Sequence, residues 1–232
     1  MNQIKRATLL VGSPRGLAST SESLGSYLLQ RLGENGLQTE KAYVTWSLTS
    51  DRSREALIRL VHTSDLLILA FPLYADSLPS RVVAALELIA ERRRTENVPK
   101  RQRLMAIVNS GFPEARQNDT ALAICRRFAE EAGIDWAGGL ALGGGPMIAG
   151  RPLSDMGGGV RNVTKALDLT AAAIAQGEPV PKEAADLMAK PKVPSRLFCW
   201  MYVRMANRRW NRRIEEYGTR PRVYDRPYIE GT

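Results

Sequence analysis

The stretch ATLLVGSPRGLASTSESLGSYLLQRL, residues 7–32, reads as a buried strand, a loop of small and hydroxylic residues and a helix. The apolar run at residues 7–11 is typical of a strand, and the spacing of Leu24, Leu28 and Leu32 is typical of an amphipathic helix. Residues 12–21 join the two. Backbone N–H groups at the start of a helix lack intrahelical partners and carry partial positive charge, so a loop of this kind can hold a phosphate.

The chemistry of this loop leaves two interpretations open. The hydroxyls of Ser19, Thr20 and Ser21 and the guanidinium of Arg15 would add donors for a phosphate. The spacing is neither the G-x-G-x-x-G of dinucleotide sites nor the G-x-x-x-x-G-K-[ST] of P-loop NTPases. An ordinary turn between strand and helix, closed by a Ser or Thr N-cap, has the same composition.

Strand and helix patterns alternate along the body of the chain. Strands are predicted over residues 4–11, 37–44, 65–71, 103–110 and 136–142. Helices are predicted over residues 21–32, 53–62, 81–94, 120–132 and 160–176. Residues 65–71, DLLILAF, are almost continuously apolar, which indicates a central strand buried on both faces. This order predicts an α/β fold with a doubly wound parallel sheet, whose ligands lie at the carboxyl ends of the strands.

Three further loops leave the same predicted edge of the sheet, at residues 72–79, 109–114 and 143–147. They are rich in glycine, proline and serine, and Tyr74 and Phe112 offer aromatic faces to a flat ligand. Together with residues 12–21 they predict one binding cleft. Asp76 precedes a helix that has Pro79 near its start, so we expect its carboxylate to cap that helix.

Three motifs make the chain resemble the NAD(P)H-dependent FMN reductase family of flavodoxin-like proteins. GSPRGLASTS, residues 12–21, resembles the family's phosphate loop, and FPLYADSLPS, residues 71–80, resembles its second flavin loop. The segment from NSGFPEARQN to GGLALGGGPMI, residues 109–148, is similar to a branch of the family. The resemblance covers residues 4–142 and implies a flavodoxin-like sheet in the order 2-1-3-4-5 with helices on both faces.

The resemblance also implies a cofactor and the residues around it. FMN would be bound noncovalently and reduced by NADH or NADPH, with no catalytic side chain and no metal required. Its phosphate would contact Ser13, Arg15, Ser19, Thr20 and Ser21. Its ring would be flanked on one side by Pro72, Leu73, Tyr74 and Asp76, and approached on the other by Asn109, Gly111, Phe112 and Glu114.

The positive charge of the chain is concentrated at its C-terminal end. The formal net charge is +9, but residues 190–232 hold 11 Lys/Arg against 4 Asp/Glu, whereas residues 1–189 hold 22 against 20. A nearly neutral body argues against a nucleic-acid partner. Prolines at 179, 181, 191 and 194 indicate a linker around a short helix at residues 182–190. We therefore expect a flavodoxin-like FMN-binding domain over residues 1–178 and a helical extension over residues 179–232.

Residues 194–217 of this extension predict one helix of mixed character. Its first turns are apolar all round, and arginines then cover one side opposite Trp210 and Ile214. The apolar side chains of such a helix need another surface that shields them from water. We favour docking on the body or on a second subunit, followed by contact with an anionic membrane surface and then by nucleic acid.

The sequence therefore leaves three classes of function. The first is an FMN-dependent oxidoreductase that passes electrons from NAD(P)H to a quinone, free flavin or another small acceptor. The second is a non-catalytic FMN carrier or binding module that acts through its basic helix, and the third is a membrane or partner adaptor with an empty loop. With no signal-peptide pattern and only two cysteines, Cys125 and Cys199, far apart, we expect a cytoplasmic protein, and we expect a homodimer.

Overall fold

Five parallel strands form the sheet of this computed structural model, which describes residues 4–96, 102–190, 196–219 and 225. The strand order is β2-β1-β3-β4-β5, the order that the family resemblance implies. The strands are β1 Arg6–Val11, β2 Gln38–Tyr43, β3 Leu66–Pro72, β4 Arg103–Asn109 and β5 Asp135–Leu142. All carboxyl ends lie at one edge, since every pairing is parallel.

The central strand β3 is buried on both faces because its side chains alternate between two cores. Leu66, Ile68 and Ala70 belong to one core cluster, and the intervening residues of β3 belong to the other. The continuous apolar run at residues 65–71 therefore predicted the position of this strand correctly.

Helices cover both faces of the sheet. The described helices are α1 Thr20–Glu34, α2 Val44–Ser47, α3 Asp51–Thr63, α4 Ser80–Thr95, α5 Asp119–Glu131, α6 Arg161–Ala175, α7 Lys182–Ala189 and α8 Arg196–Glu216. The first core cluster lies under α1, α6 and α7, and the second lies under α3, α4 and α5. The sequence patterns did not predict α2, which is a single turn, or the short 3₁₀ turns near the carboxyl edge of the sheet.

Gly12 directly follows β1, at a point where α4 passes very close. Its backbone N–H donates to the carbonyl of Ala70 over 2.8 Å, so the chain leaves the sheet in a fixed direction. A Cβ at this position would lie 2.3 Å from Cγ2 of Val82 and 3.0 Å from Cβ of Phe71. Only glycine fits here without movement of α4 or of the strand.

The chain divides into two compact units, Met1–Lys192 and Val193–Thr232. Helix α7, which the sequence analysis placed in the extension, belongs to the first unit, where its Ala184 and Met188 are buried in the core. Just before it, the backbone N–H of Val180 donates to the carbonyl of Ala137 on β5 over 2.7 Å. The second unit contains α8. None of the helices combines the length and the hydropathy that a membrane span requires, as far as the described residues extend.

Candidate cofactor cleft

The loops at the carboxyl edge of the sheet enclose a cleft of about 170 Å³. The cleft is lined by Ser13, Arg15, Ser19, Thr20, Ser21, Pro72, Leu73, Tyr74, Asn109 and Gly111, all of which the sequence analysis names, together with Ser110 and Pro146. Residues from the four loops that follow β1, β3, β4 and β5 thus meet in one place with the first turn of α1. Asp76, Phe112 and Glu114 are not among the lining residues and are exposed.

The first loop is a tight turn that its own backbone closes. Gly16 donates to the carbonyl of Ser13 over 3.1 Å, and the hydroxyl of Ser13 accepts from the N–H of Arg15 over 3.3 Å. The Ser13 hydroxyl therefore keeps its proton for a further acceptor. The Arg15 side chain is exposed at the edge of the cleft.

Ser19 is the N-cap of α1 and is fully engaged by the fold. Its hydroxyl oxygen accepts from the N–H of Glu22 over 3.1 Å, and its proton goes to the carbonyl of Gly16 over 2.7 Å. This arrangement agrees with the predicted N-cap and is compatible with a phosphate loop. The Ser19 hydroxyl, however, has no proton left to donate to a phosphate.

The next two residues leave backbone donors in the cleft. The hydroxyl of Thr20 donates to the carbonyl of Gly145 over 2.8 Å, whereas the hydroxyl of Ser21 accepts from the side-chain amide of Asn109 over 2.8 Å and keeps its proton. Among the described residues, no group accepts a hydrogen bond from the backbone N–H of Thr20 or Ser21. These N–H groups carry the partial positive charge of the α1 N-terminus.

Asn109, at the end of β4, connects three elements at the cleft wall. Its amide nitrogen donates both to Ser21 on α1 and to the carbonyl of Phe71 on β3, the latter over 3.1 Å. The backbone carbonyl of Asn109 accepts from the N–H of Leu73 over 2.8 Å. Because Asn109 is only 5% exposed, these bonds fix the distance between the first loop and the second.

The second loop contains a two-residue turn with unusual backbone angles. Tyr74 and Ser77 exchange two backbone hydrogen bonds, of 3.0 and 2.9 Å, and the central residues Ala75 and Asp76 have φ values of 46° and 59°. Two positive φ values in succession indicate a type I′ turn, which is costly for alanine. In the described structure no acceptor faces the N–H of Ala75 or of Asp76.

The expectation that Asp76 caps the following helix is wrong. The N-cap of α4 is Pro79, with no side-chain cap hydrogen bond, and Asp76 lies at the exposed tip of the turn. The cause is the Tyr74–Ser77 pairing, which bends the chain away before the helix begins.

The third wall comes from the loops that follow β4 and β5. Gly144 donates to the carbonyl of Phe112 over 2.7 Å, and Gly145 donates to the carbonyl of Ser110 over 2.8 Å. A Cβ on Gly145 would lie 2.8 Å from the side-chain oxygen of Asn109, so the wall requires glycine here. Ser110 and Pro146, which the sequence analysis did not assign to the site, line the cleft as part of these loops.

A carboxylate lies directly behind the first loop, in the first turn of α1. Glu22 accepts from Nζ of Lys41 over 2.6 Å and from the hydroxyl of Ser26 over 2.8 Å. Its second oxygen is buried without a partner in the described structure. Burial lowers the pKa of Lys41, but hydrogen bonding and charge attraction to Glu22 outweigh it and leave that pKa raised. The ion pair offsets the negative charge of Glu22 beside the anion-attracting end of the helix.

Comparison with known proteins identifies the fold but no closer relationship. No protein-family description matches the chain, and the comparison with curated proteins found no match. An FMN-dependent NADH-azoreductase from Bacillus anthracis, solved in complex with FMN, matches with a TM-score of 0.53 and 13% identity over 74% of this chain and 100% of that one.

Two further solved structures show the same likeness. An NADH:FMN oxidoreductase in its apo form matches with a TM-score of 0.55 and 14% identity over 82% of this chain and 97% of that one. A WrbA-like flavodoxin from Agrobacterium tumefaciens matches with a TM-score of 0.52 and 12% identity over 75% of this chain and 96% of that one. The strand order and these likenesses establish that the first unit has a flavodoxin-like fold.

Proposed function

We propose that this protein is an oxidoreductase that binds FMN noncovalently in the cleft, accepts hydride from NADH or NADPH, and passes electrons to a small acceptor such as a quinone or free flavin. The observation that carries the proposal is the pair of N–H groups of Thr20 and Ser21, which have no partner among the described residues and lie in a cleft lined by four loops. The solved FMN-dependent NADH-azoreductase and NADH:FMN oxidoreductase, which have the same fold, support it.

The first loop fits the phosphate of FMN in charge and in donors. The two N–H groups, the free protons of the Ser13 and Ser21 hydroxyls, and the Arg15 guanidinium would all face an anion. The hydroxyls of Ser19 and Thr20 would act indirectly, since they hold the loop to Gly16 and Gly145.

The other loops fit a flat ring. Pro72, Leu73 and Tyr74 of the second loop line the cleft together with Asn109 and Gly111 of the third, and we propose that both loops contact the ring. The Leu73 N–H bond to the Asn109 backbone carbonyl would keep the two loops at a fixed spacing, so that little ordering is required on binding.

When bound, FMN supplies the hydride and electron transfer, and the chain supplies position and polarity. Within the part of the chain that the structure describes, the N–H groups of Ala75 and Asp76 have no acceptor, and the type I′ turn holds them in place. They would stabilise negative charge that develops at the edge of the ring.

The cleft is surrounded by exposed apolar side chains, for which we propose a second subunit as the cover. Leu17, Tyr74, Phe112 and Met147 are 64, 48, 52 and 40% exposed and belong to the loops of the cleft. Apolar groups gathered in this way mark interaction surfaces. We accordingly extend the proposal to a cytoplasmic homodimer. In analytical ultracentrifugation we expect a dimer, and Phe112→Asp should shift it toward the monomer; an unchanged monomer for both proteins would refute this extension.

Anaerobic reduction tests the oxidoreductase itself. The FMN-loaded protein is mixed with NADH or with NADPH in the absence of oxygen, and the flavin absorbance is followed. We expect at least one nucleotide to bleach the flavin, and the bleached protein to regain its colour when a quinone is added. If neither nucleotide reduced the bound flavin, the oxidoreductase would be refuted and the non-catalytic FMN carrier would remain. If the protein took up no FMN, both functions would be refuted.

A further inference from the structure

Helix α8 carries a stripe of apolar side chains along one side. Trp200, Val203, Trp210 and Ile214 recur with the three- and four-residue spacing that places them on a common side, interrupted by Asn207. Ile214 is buried, whereas Trp200, Val203 and Trp210 are 58, 46 and 61% exposed. Two tryptophans are thus accessible on this side of the helix.

From residue 204 onward, arginine is the commonest residue outside the stripe. Arg204, Arg208, Arg209, Arg212 and Arg213 occupy the positions between the stripe residues, against only Glu215 and Glu216 near the end of the helix. Met201 and Met205 lie among them. The guanidinium carbon of Arg204 is 5.3 Å from the centre of the Trp200 ring, so an arginine and a tryptophan meet at the border between the two sides.

We propose that α8 binds the surface of an anionic lipid bilayer, with Trp200 and Trp210 at the level of the headgroups and the arginines paired with lipid phosphates. Charge complementarity carries the assignment: a helix lying in the membrane interface combines an apolar side with a Lys/Arg-rich polar side. Trp is suited to this depth because its ring is apolar and its N–H can reach water or a phosphate. Membrane attachment goes beyond the proposed function, because redox chemistry in the cleft does not require it.

The same arginines could pair with the phosphates of a nucleic acid, but the stripe favours lipid. Val203, Met201 and Met205 are exposed aliphatic or thioether groups that gain nothing from a phosphate backbone. At a bilayer surface they enter the boundary between headgroups and acyl chains, where apolar area leaves water.

The test measures binding of the full chain to vesicles by co-sedimentation. We expect binding to vesicles made of equal parts phosphatidylcholine and phosphatidylglycerol, little binding to phosphatidylcholine alone, and a decrease with added salt. Each arginine near an anionic surface is worth about fivefold in partitioning, so Arg208→Gln/Arg212→Gln should weaken binding by roughly 25-fold. Arg126→Gln/Arg127→Gln on α5 is the matched control, since it removes the same charge from another exposed helix and should change binding little.

A second readout locates the tryptophans. Brominated lipids quench tryptophan fluorescence on contact, so quenching should occur with anionic vesicles and should decrease in Trp210→Phe. Equal binding to neutral vesicles, an equal loss in the α5 control, or absence of quenching would each overturn the proposal. So would tight binding to a DNA or RNA duplex together with no binding to vesicles.

Discussion

The close approach of α4 to Gly12 gives the sharpest prediction about how the cleft is held. Gly12→Ala would place a methyl group 2.3 Å from Cγ2 of Val82, where about 3.4 Å or more is normal. Val82 and Phe71 are fully buried, so neither can move into solvent to make room. Gly12 is not in the positive-φ region, so the cost is steric alone. We expect a loss of about 1–3 kcal/mol in the free energy of unfolding.

Removal of the clashing methyl groups should restore part of that loss. Val82→Ala by itself should cost about 2 kcal/mol, because two buried methyl groups are lost and a cavity remains. In the double variant the methyl group introduced at position 12 enters that cavity, so the two changes should couple favourably by about 1–2 kcal/mol. Urea unfolding of the four proteins measures this coupling.

A second pair serves as the control. Val61 on α3 is equally buried in the same core cluster but is not among the atoms nearest to Gly12, so Gly12→Ala and Val61→Ala should be additive. If Gly12→Ala and Val82→Ala were also additive, or if Gly12→Ala left stability unchanged, the steric account would be wrong.

Three further variants test the cleft and the core. Ser21→Ala should weaken FMN binding by about 1.5–3 kcal/mol in a fluorescence titration. Ser23→Ala is the control and should change FMN binding little, because the Ser23 hydroxyl donates to the Ser19 carbonyl one turn earlier in the chain. Equal effects of the two substitutions would contradict the role assigned to Ser21. Gly145→Ala should displace Asn109 and lower both stability and FMN affinity, and an unchanged affinity would count against the wall. Burial raises the pKa of the Cys125 thiol to about 12. The stability that the buried neutral thiol contributes is therefore complete at pH values below the ordinary pKa of a thiol, and it is lost as the pH rises through the raised pKa. Cys125→Ala should reduce this alkaline loss of stability, and an identical loss in the variant would contradict the prediction.

Local pattern was enough to predict the sheet and its principal helices. The run DLLILAF located β3, and alternation of strands and helices predicted a doubly wound fold whose strand edges carry the site. The loop at residues 12–21 was predicted as a strand–loop–helix junction, and its residues do line the cleft. These features depend on neighbours close in sequence, which a single sequence displays directly.

The hydrogen bonds and packing contacts that shape the cleft join residues far apart in sequence, so the sequence patterns could not predict them. Asn109 and Ser21 are 88 positions apart, and nothing local indicates that their side chains meet. Asp76 was wrongly predicted to cap the helix because a type I′ turn usually contains Gly or Asn, and Ala75 at its first central position does not indicate such a turn. Nor does local pattern indicate that Thr20 is tied to Gly145, or that α7 packs into the first unit in spite of the prolines around it.

The central claim is that the first turn of α1 holds the phosphate of FMN, and a comparison of FMN with riboflavin tests it most directly. Riboflavin has the same ring and lacks the phosphate, so titration of the apoprotein with each, followed by flavin fluorescence, isolates the contribution of the loop. We predict one FMN per chain and a much weaker affinity for riboflavin, with the difference reduced in Ser21→Ala. Equal affinity for the two flavins, or no binding of FMN, would contradict the account.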